Sequence, residues 1–144
     1  MLKKENKTEF EQIIPEEDEN VVQSYIEETL GVDIEKFALG FKENYREPVR
    51  TAKETLLMNI ALEIIAGKVS PLYSRLIEEG LINTNFGKEY FTGRGFSLPI
   101  FTGESHSPCK VKDEIIEEIE RKHNRDFLHL RRLRVCGILK EKST

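Results

Sequence analysis

Cysteine is scarce in this chain: Cys109 and Cys136 are the only two among 144 residues. Two thiols make no disulfide framework, and the expectation is a pair of free thiols in a reducing compartment, the cytoplasm by default. Histidine is nearly as scarce, with His106, His123 and His129. None falls in a His-Glu-x-x-His or His-x-x-Glu-His pattern, which would set two imidazoles on one helical face beside a carboxylate base. His106 and Cys109 have ligand-like spacing, but no second pair at zinc-site spacing joins them, and His106 sits in a Ser/Pro/Gly loop. A Gly-x-Ser-x-Gly elbow is missing, and neither cysteine has a local active-site signature, so nucleophilic hydrolysis has no candidate. No apolar run approaches the roughly 18 residues that cross a bilayer. The start, Met1 to Lys7, is charged with no apolar stretch behind it, unlike a secretory signal. No membrane partner is expected.

What is present is a charged, soluble composition, 38% hydrophobic and 33% charged. The length suits one domain that buries about 68–70% of its unfolded surface. The net charge of −4 is uneven. Residues 1–20 hold three lysines against seven acids, which is −4 on its own. With only Phe10, Ile13 and Ile14 to bury, they read as a linker or expression-derived leader, and the domain as residues 21–144. Residues 121–142 hold eight basic side chains against Asp126 and Glu141. That stretch is the one feature favouring a nucleic-acid partner, but aromatic interleaving is poor, and a polar helical face explains it better. No nucleic acid is expected.

Alternation from Val21 to Leu30 predicts a strand with one wet face, and Phe37-Ala38-Leu39-Gly40-Phe41 predicts a buried strand. Pro48 opens a long helix with two apolar ridges, Leu56/Ile60/Ile64 and Leu57/Ala61/Ile65, ending at Gly67. An arc so wide should lie against a sheet or between other helices. Ser70-Pro71 starts a second helix with Leu72, Tyr73, Leu76 and Ile77 inward, stopped by Gly80. Two strands around Gly93-Arg94-Gly95 make a hairpin, and Pro99 places the second at an edge or a bulge. Ser107-Pro108 starts a third helix whose carboxylates, Glu114, Glu117, Glu118 and Glu120, lie mostly on its wet side. A last helix is predicted over residues 126–140 with Phe127, Leu130, Leu133, Ile138 and Leu139 as its apolar set. The order predicts an α+β, two-layer sandwich, with a mostly antiparallel sheet covered by helices on one face.

An ordered series of short blocks adds to this reading. Ala38-Leu39-Gly40-Phe41-Lys42 is followed by the run from Ile64 to Tyr73, then the run from Leu76 to Asn83, Gly95-Phe96 and Gly103-Glu104-Ser105. The series resembles the C-terminal half of the insulinase/pitrilysin family of zinc peptidases, over nearly the whole chain from about Glu16 to Leu139. The resemblance implies a peptidase half-domain, zinc held in the parent's first half, and an N-terminal half or second subunit as partner. Active members often carry an arginine and a tyrosine around a Gly-Leu pair in the second half. Matching on Gly80-Leu81 puts Leu76 at the arginine position and Asn83 at the tyrosine position, and neither side chain can replace the lost one. No catalytic residue is therefore expected. Arg75, Asn83 and Asn85 remain as candidates to line a substrate cavity. The family half continues further, so the fold is expected to be incomplete at the C-terminus and to self-associate as a homo-oligomer. The competing expectation is a stand-alone interaction module using the basic C-terminal helix or an exposed sheet edge.

Overall fold

Ser70 and Pro71 show how local chemistry sets this fold. In the computed structural model the Ser70 hydroxyl accepts the Tyr73 amide at 3.1 Å, and Pro71 begins helix α2 (Pro71–Glu78). Proline suits that position because its missing N–H has no helical acceptor there. Gly80 ends the helix at φ 66°, in the left-handed region glycine adopts without strain. Leu81 N–H donates to the Leu76 carbonyl at 2.9 Å and Gly80 N–H to that of Ile77 at 3.0 Å, so the last carbonyls are satisfied in a Schellman closure. The structure describes residues 21–29, 31, 33–43, 51–93, 96–123 and 134–142, the last nine and His123 without their side chains.

Helix α1 (Ala52–Ala66) starts from Thr51 rather than at Pro48, which lies outside the described residues. Thr51 and Glu54 form a reciprocal capping box: Glu54 N–H donates to the Thr51 hydroxyl at 3.2 Å, and Thr51 N–H to the Glu54 carboxylate at 2.9 Å. Gly67 closes α1 in an extended conformation, φ −67°, not a left-handed one. Glycine is required there for space: a Cβ would run into the Glu63 carbonyl and side chain. Helix α3 (Pro108–His123) follows Ser107 as expected.

Five strands form one sheet: β1 (Tyr25–Thr29), β2 (Lys36–Lys42), β3 (Gly87–Gly93), β4 (Phe96–Glu104) and β5 (Arg134–Lys142), in the order β1-β5-β2-β4-β3. All neighbours are antiparallel except β1 and β5, which run parallel. The three helices lie on one face, so the α+β, two-layer, mostly antiparallel arrangement expected from the sequence is the one observed. Phe37, Leu39 and Phe41 of β2 and Phe101 of β4 meet Met58, Leu62 and Ile65 of α1, Leu72 and Leu76 of α2, and Val111, Ile115 and Ile119 of α3. Phe101 stands edge-on to Phe41, with ring centroids 5.9 Å apart, and lies stacked with Phe86.

Four expectations need correction. Residues 134–142 are a strand, not the second part of a helix; residues 124–133 lie outside the described part. The reason is tertiary. β1 and β2 each have a row of backbone groups to satisfy, and Arg134–Lys142 fills the slot between them, pairing Tyr25 with Ile138 and Leu39 with Ile138 from either side. A basic C-terminal helix is thereby lost as an interaction surface over those residues. Pro99 lies on an internal strand, between β2 and β3; the β2 ladder stops at Gly40–Ile100, one residue short of the proline, so no ladder bond is demanded of it on that side. β1 is exposed along all five residues rather than on one face. Glu118 is buried, not on the wet side of α3.

Candidate functional site

The turn from α2 into β3 carries the positions that the family resemblance singles out. Leu76, on the inner side of α2, is fully buried in the core. Asn83 lies just past the Schellman turn, and its side-chain amide donates to Glu104 Oε2 at 2.6 Å. Asn85 donates to the same oxygen at 3.2 Å, and its backbone N–H donates to Asn83 Oδ1 at 2.9 Å. Two candidates are thus brought together on one carboxylate at the end of β4. Glu104 also pairs in register with Lys36. The Asn83 amide first, then that of Asn85 and the Lys36 charge, hold the Glu104 carboxyl below the usual carboxylate range.

Arg75 is elsewhere. One residue from Leu76 is about 100° of helical rotation, and its guanidinium reaches across to α3, where Nε and a terminal nitrogen donate to Glu114 Oε2 at 3.2 and 2.8 Å. The pair is partly exposed and joins α2 to α3. Pattern reading did not find Glu104 as the acceptor that organises this turn. The only signal was its place in the Gly103-Glu104-Ser105 block.

Two further carboxylates escaped notice. Glu43, buried at the end of β2, accepts hydrogen bonds from the Tyr90 hydroxyl at 2.6 Å and from the Ser97 hydroxyl, tying β2 to both strands of the hairpin. Glu118 is 1% exposed, with Lys122 Nζ 3.7 Å from Oε1. Arg121 lies against Oε2 as an ion pair but without the alignment of a hydrogen bond.

The face of the sheet opposite the helices has its own character. The alternation that turns Phe37, Leu39, Phe101 and Tyr90 toward the helices turns Ala38, Phe91, Phe96, Leu98 and Ile100 the other way. Phe91 and Phe96 are about half exposed, and Leu98 and Ile100 partly so. Lys36, Glu89 and Glu104 flank this apolar strip. It is a wall suited to an extended chain with apolar side chains. Among the described residues no three metal-ligating side chains come together, so the residues present do not fit a zinc ion.

No family model matches the chain. Its sequence is 29% identical over 103 residues, 69% of its length, to the uncharacterized zinc protease YmfH of Bacillus subtilis. Its fold matches the crystal structure of an M16-like peptidase from Alicyclobacillus acidocaldarius with a TM-score of 0.73 at 22% identity, over 83% of this chain. The α+β layer described above is therefore the fold of an M16-like peptidase domain. The chain is thus similar in sequence to a zinc protease and in fold to an M16-like peptidase. It spans 24% of the length of YmfH and 30% of the Alicyclobacillus chain.

Proposed function

We propose that this chain is a non-catalytic, substrate-enclosing part of an insulinase-type peptidase, corresponding to the second half of such an enzyme, and that it works in the cytoplasm. The observation that carries this is at the α2–β3 turn. The position that the family gives to arginine is a leucine sealed in the core, and the tyrosine position is an asparagine engaged with Glu104. Neither side chain is available to a developing oxyanion. The apolar strip on the helix-free sheet face supports a role in holding an extended peptide. Zinc and the attacking water would come from a partner half carrying the His-x-x-Glu-His motif, together with the missing arginine and tyrosine.

The test is a fluorogenic-peptide assay on the purified chain, alone and mixed with a zinc-bearing M16 subunit. No turnover is expected from the chain alone, with or without added zinc. Turnover is expected in the mixture and should fall when Ile100→Lys is introduced on the helix-free face. Chelator-sensitive cleavage by the chain alone would overturn the proposal.

A further inference from the structure

β3 is an end strand of the sheet, with β4 on one side and no strand beyond it among the described residues. The direction of its backbone groups follows from β4. Glu43 N–H donates to the Ser97 carbonyl at 3.3 Å, and Ser105 N–H donates to that of Glu35 at 2.9 Å. The odd-numbered residues of β4 therefore aim their N–H and C=O at β2. Direction alternates along an antiparallel strand, so Leu98, Ile100 and Thr102 aim at β3, where they meet Phe91, Glu89 and Gly87. Lys88 and Thr92, on the other parity, turn their N–H and C=O outward. Edges of this kind are usually blunted by proline, a bulge or a charged side chain such as lysine. β3 has neither proline nor bulge over its seven residues. The ammonium of its one lysine, Lys88, is drawn onto Glu63 of α1 and no longer guards the edge.

We infer that this edge joins two copies of the chain, β3 to β3, antiparallel about a two-fold axis at position 90. Length and charge fix the register. An axis at position 90 pairs the whole strand, Gly87 to Gly93, whereas any other leaves residues over. It opposes Lys88 to the other copy's Thr92 and Glu89 to the other copy's Phe91. An axis at 88 or 89 would set lysine directly on lysine or glutamate directly on glutamate, which is unfavourable. With the axis at 90, each Lys88 and Thr92 meets a residue whose N–H and C=O also point outward, so both ladders of bonds close. An extended peptide adds to such an edge without regard to charge order, whereas β3 is complementary to itself in one register. The contact is about 24 Å long at roughly 3.4 Å per residue. With one helix layer of about 10–12 Å above it, the footprint is roughly 400 Å² per copy, low for a permanent dimer and suited to one that exchanges at micromolar concentration.

Sedimentation equilibrium of the full chain, with Thr92→Pro for comparison, tests this. Proline at 92 removes an outward N–H and leaves the β4 ladder intact, so the circular dichroism should be unchanged while the dimer weakens at least tenfold. The register has its own readout, independent of that variant. Residues 89 and 91 form a non-hydrogen-bonded pair across the axis, with Cα atoms about 4.5 Å apart, within disulfide reach. Two residues 89, or two residues 91, are about 8 Å apart and out of reach. A Glu89→Cys copy mixed with a Phe91→Cys copy under mild oxidation should therefore give an 89–91 disulfide, identified by peptide mass, that neither variant gives with itself. A chain that stays monomeric through the high micromolar range would overturn the inference. So would a dimer that Thr92→Pro leaves as tight as before, or a mixture that forms no 89–91 disulfide.

Discussion

α1 and α3 are nearly equal in length, yet they meet their surroundings in opposite ways. α1 turns aliphatic side chains both toward the sheet and away from it, and its charged residues sit at the margins. α3 turns Val111, Ile115 and Ile119 inward and leaves Asp113, Glu117, Glu120 and Arg121 in water. It even takes one carboxylate, Glu118, to the inner side. The difference shows that α3 is finished as an outer layer and α1 is not: one helix ends the protein against solvent, and the other is made to lie between two apolar surfaces.

That contrast can be broken by substitution. The largest effect is expected at the inner face of α3, where Ile115→Ala should cost about 2–5 kcal/mol in urea unfolding, the range for emptying a sealed core position. A loss as small as that of a surface change would mean that α3 is not anchored as described. Glu118→Leu should act in the opposite direction, raising the unfolding free energy by about 1 kcal/mol or more, because a buried carboxylate whose ion pairs among the described residues are with two long surface cations is poorly compensated. A fall in stability there would show that Glu118 has a stronger partner. Next comes the cap of α2: Ser70→Ala should cost about 1 kcal/mol by removing the acceptor of the Tyr73 amide. On the outer face of α1, Ile60→Ser should stay within about 0.5 kcal/mol, as for a solvated position. A larger loss would mean that something already covers that face.

The smallest effect concerns pH. The Glu104 carboxyl is held below its ordinary range by Asn83 and Asn85, so it favours the folded state above the unfolded-state value of about 4.3. That contribution disappears as pH falls through the lower folded value. Asn83→Ala should raise the folded value toward the unfolded one and flatten the stability curve in that acid window, while leaving its neutral slope unchanged. Thermal melts between neutral pH and about pH 3 measure it.

How much of this was readable depends on how far apart the cooperating residues lie. Ser70-Pro71 and Gly80 were legible because a cap and a left-handed stop act within one helical turn. The hairpin was legible from its alternation and its glycines. The α+β layering followed from the order of these elements. The strand Arg134–Lys142 was not legible: Ile138 and Leu139 extend a helical spacing begun at Phe127, and what overrides that spacing is a slot made by β1 and β2, far away in sequence. The two ridges of α1 were visible, but nothing local says which one meets the sheet. For the site, Leu76 and Asn83 could be matched through Gly80-Leu81, and Arg75 could be placed on another side by helical rotation alone. The Glu104 acceptor and the Glu43–Tyr90–Ser97 knot needed the sheet register, which no single segment encodes.

The parallel pairing of β1 with β5 dictates an order of assembly. Tyr25 is synthesised more than a hundred residues before Ile138, its ladder partner among the described residues. The hairpin and its helices are able to close while synthesis continues, since their contacts are short-range. β2 meanwhile holds one ladder with β4 and presents its other edge bare until Arg134–Lys142 arrives. Completion of the sheet is thus the slow, long-range step. During that interval a nascent chain shows two open strand edges to any chaperone or neighbouring polypeptide.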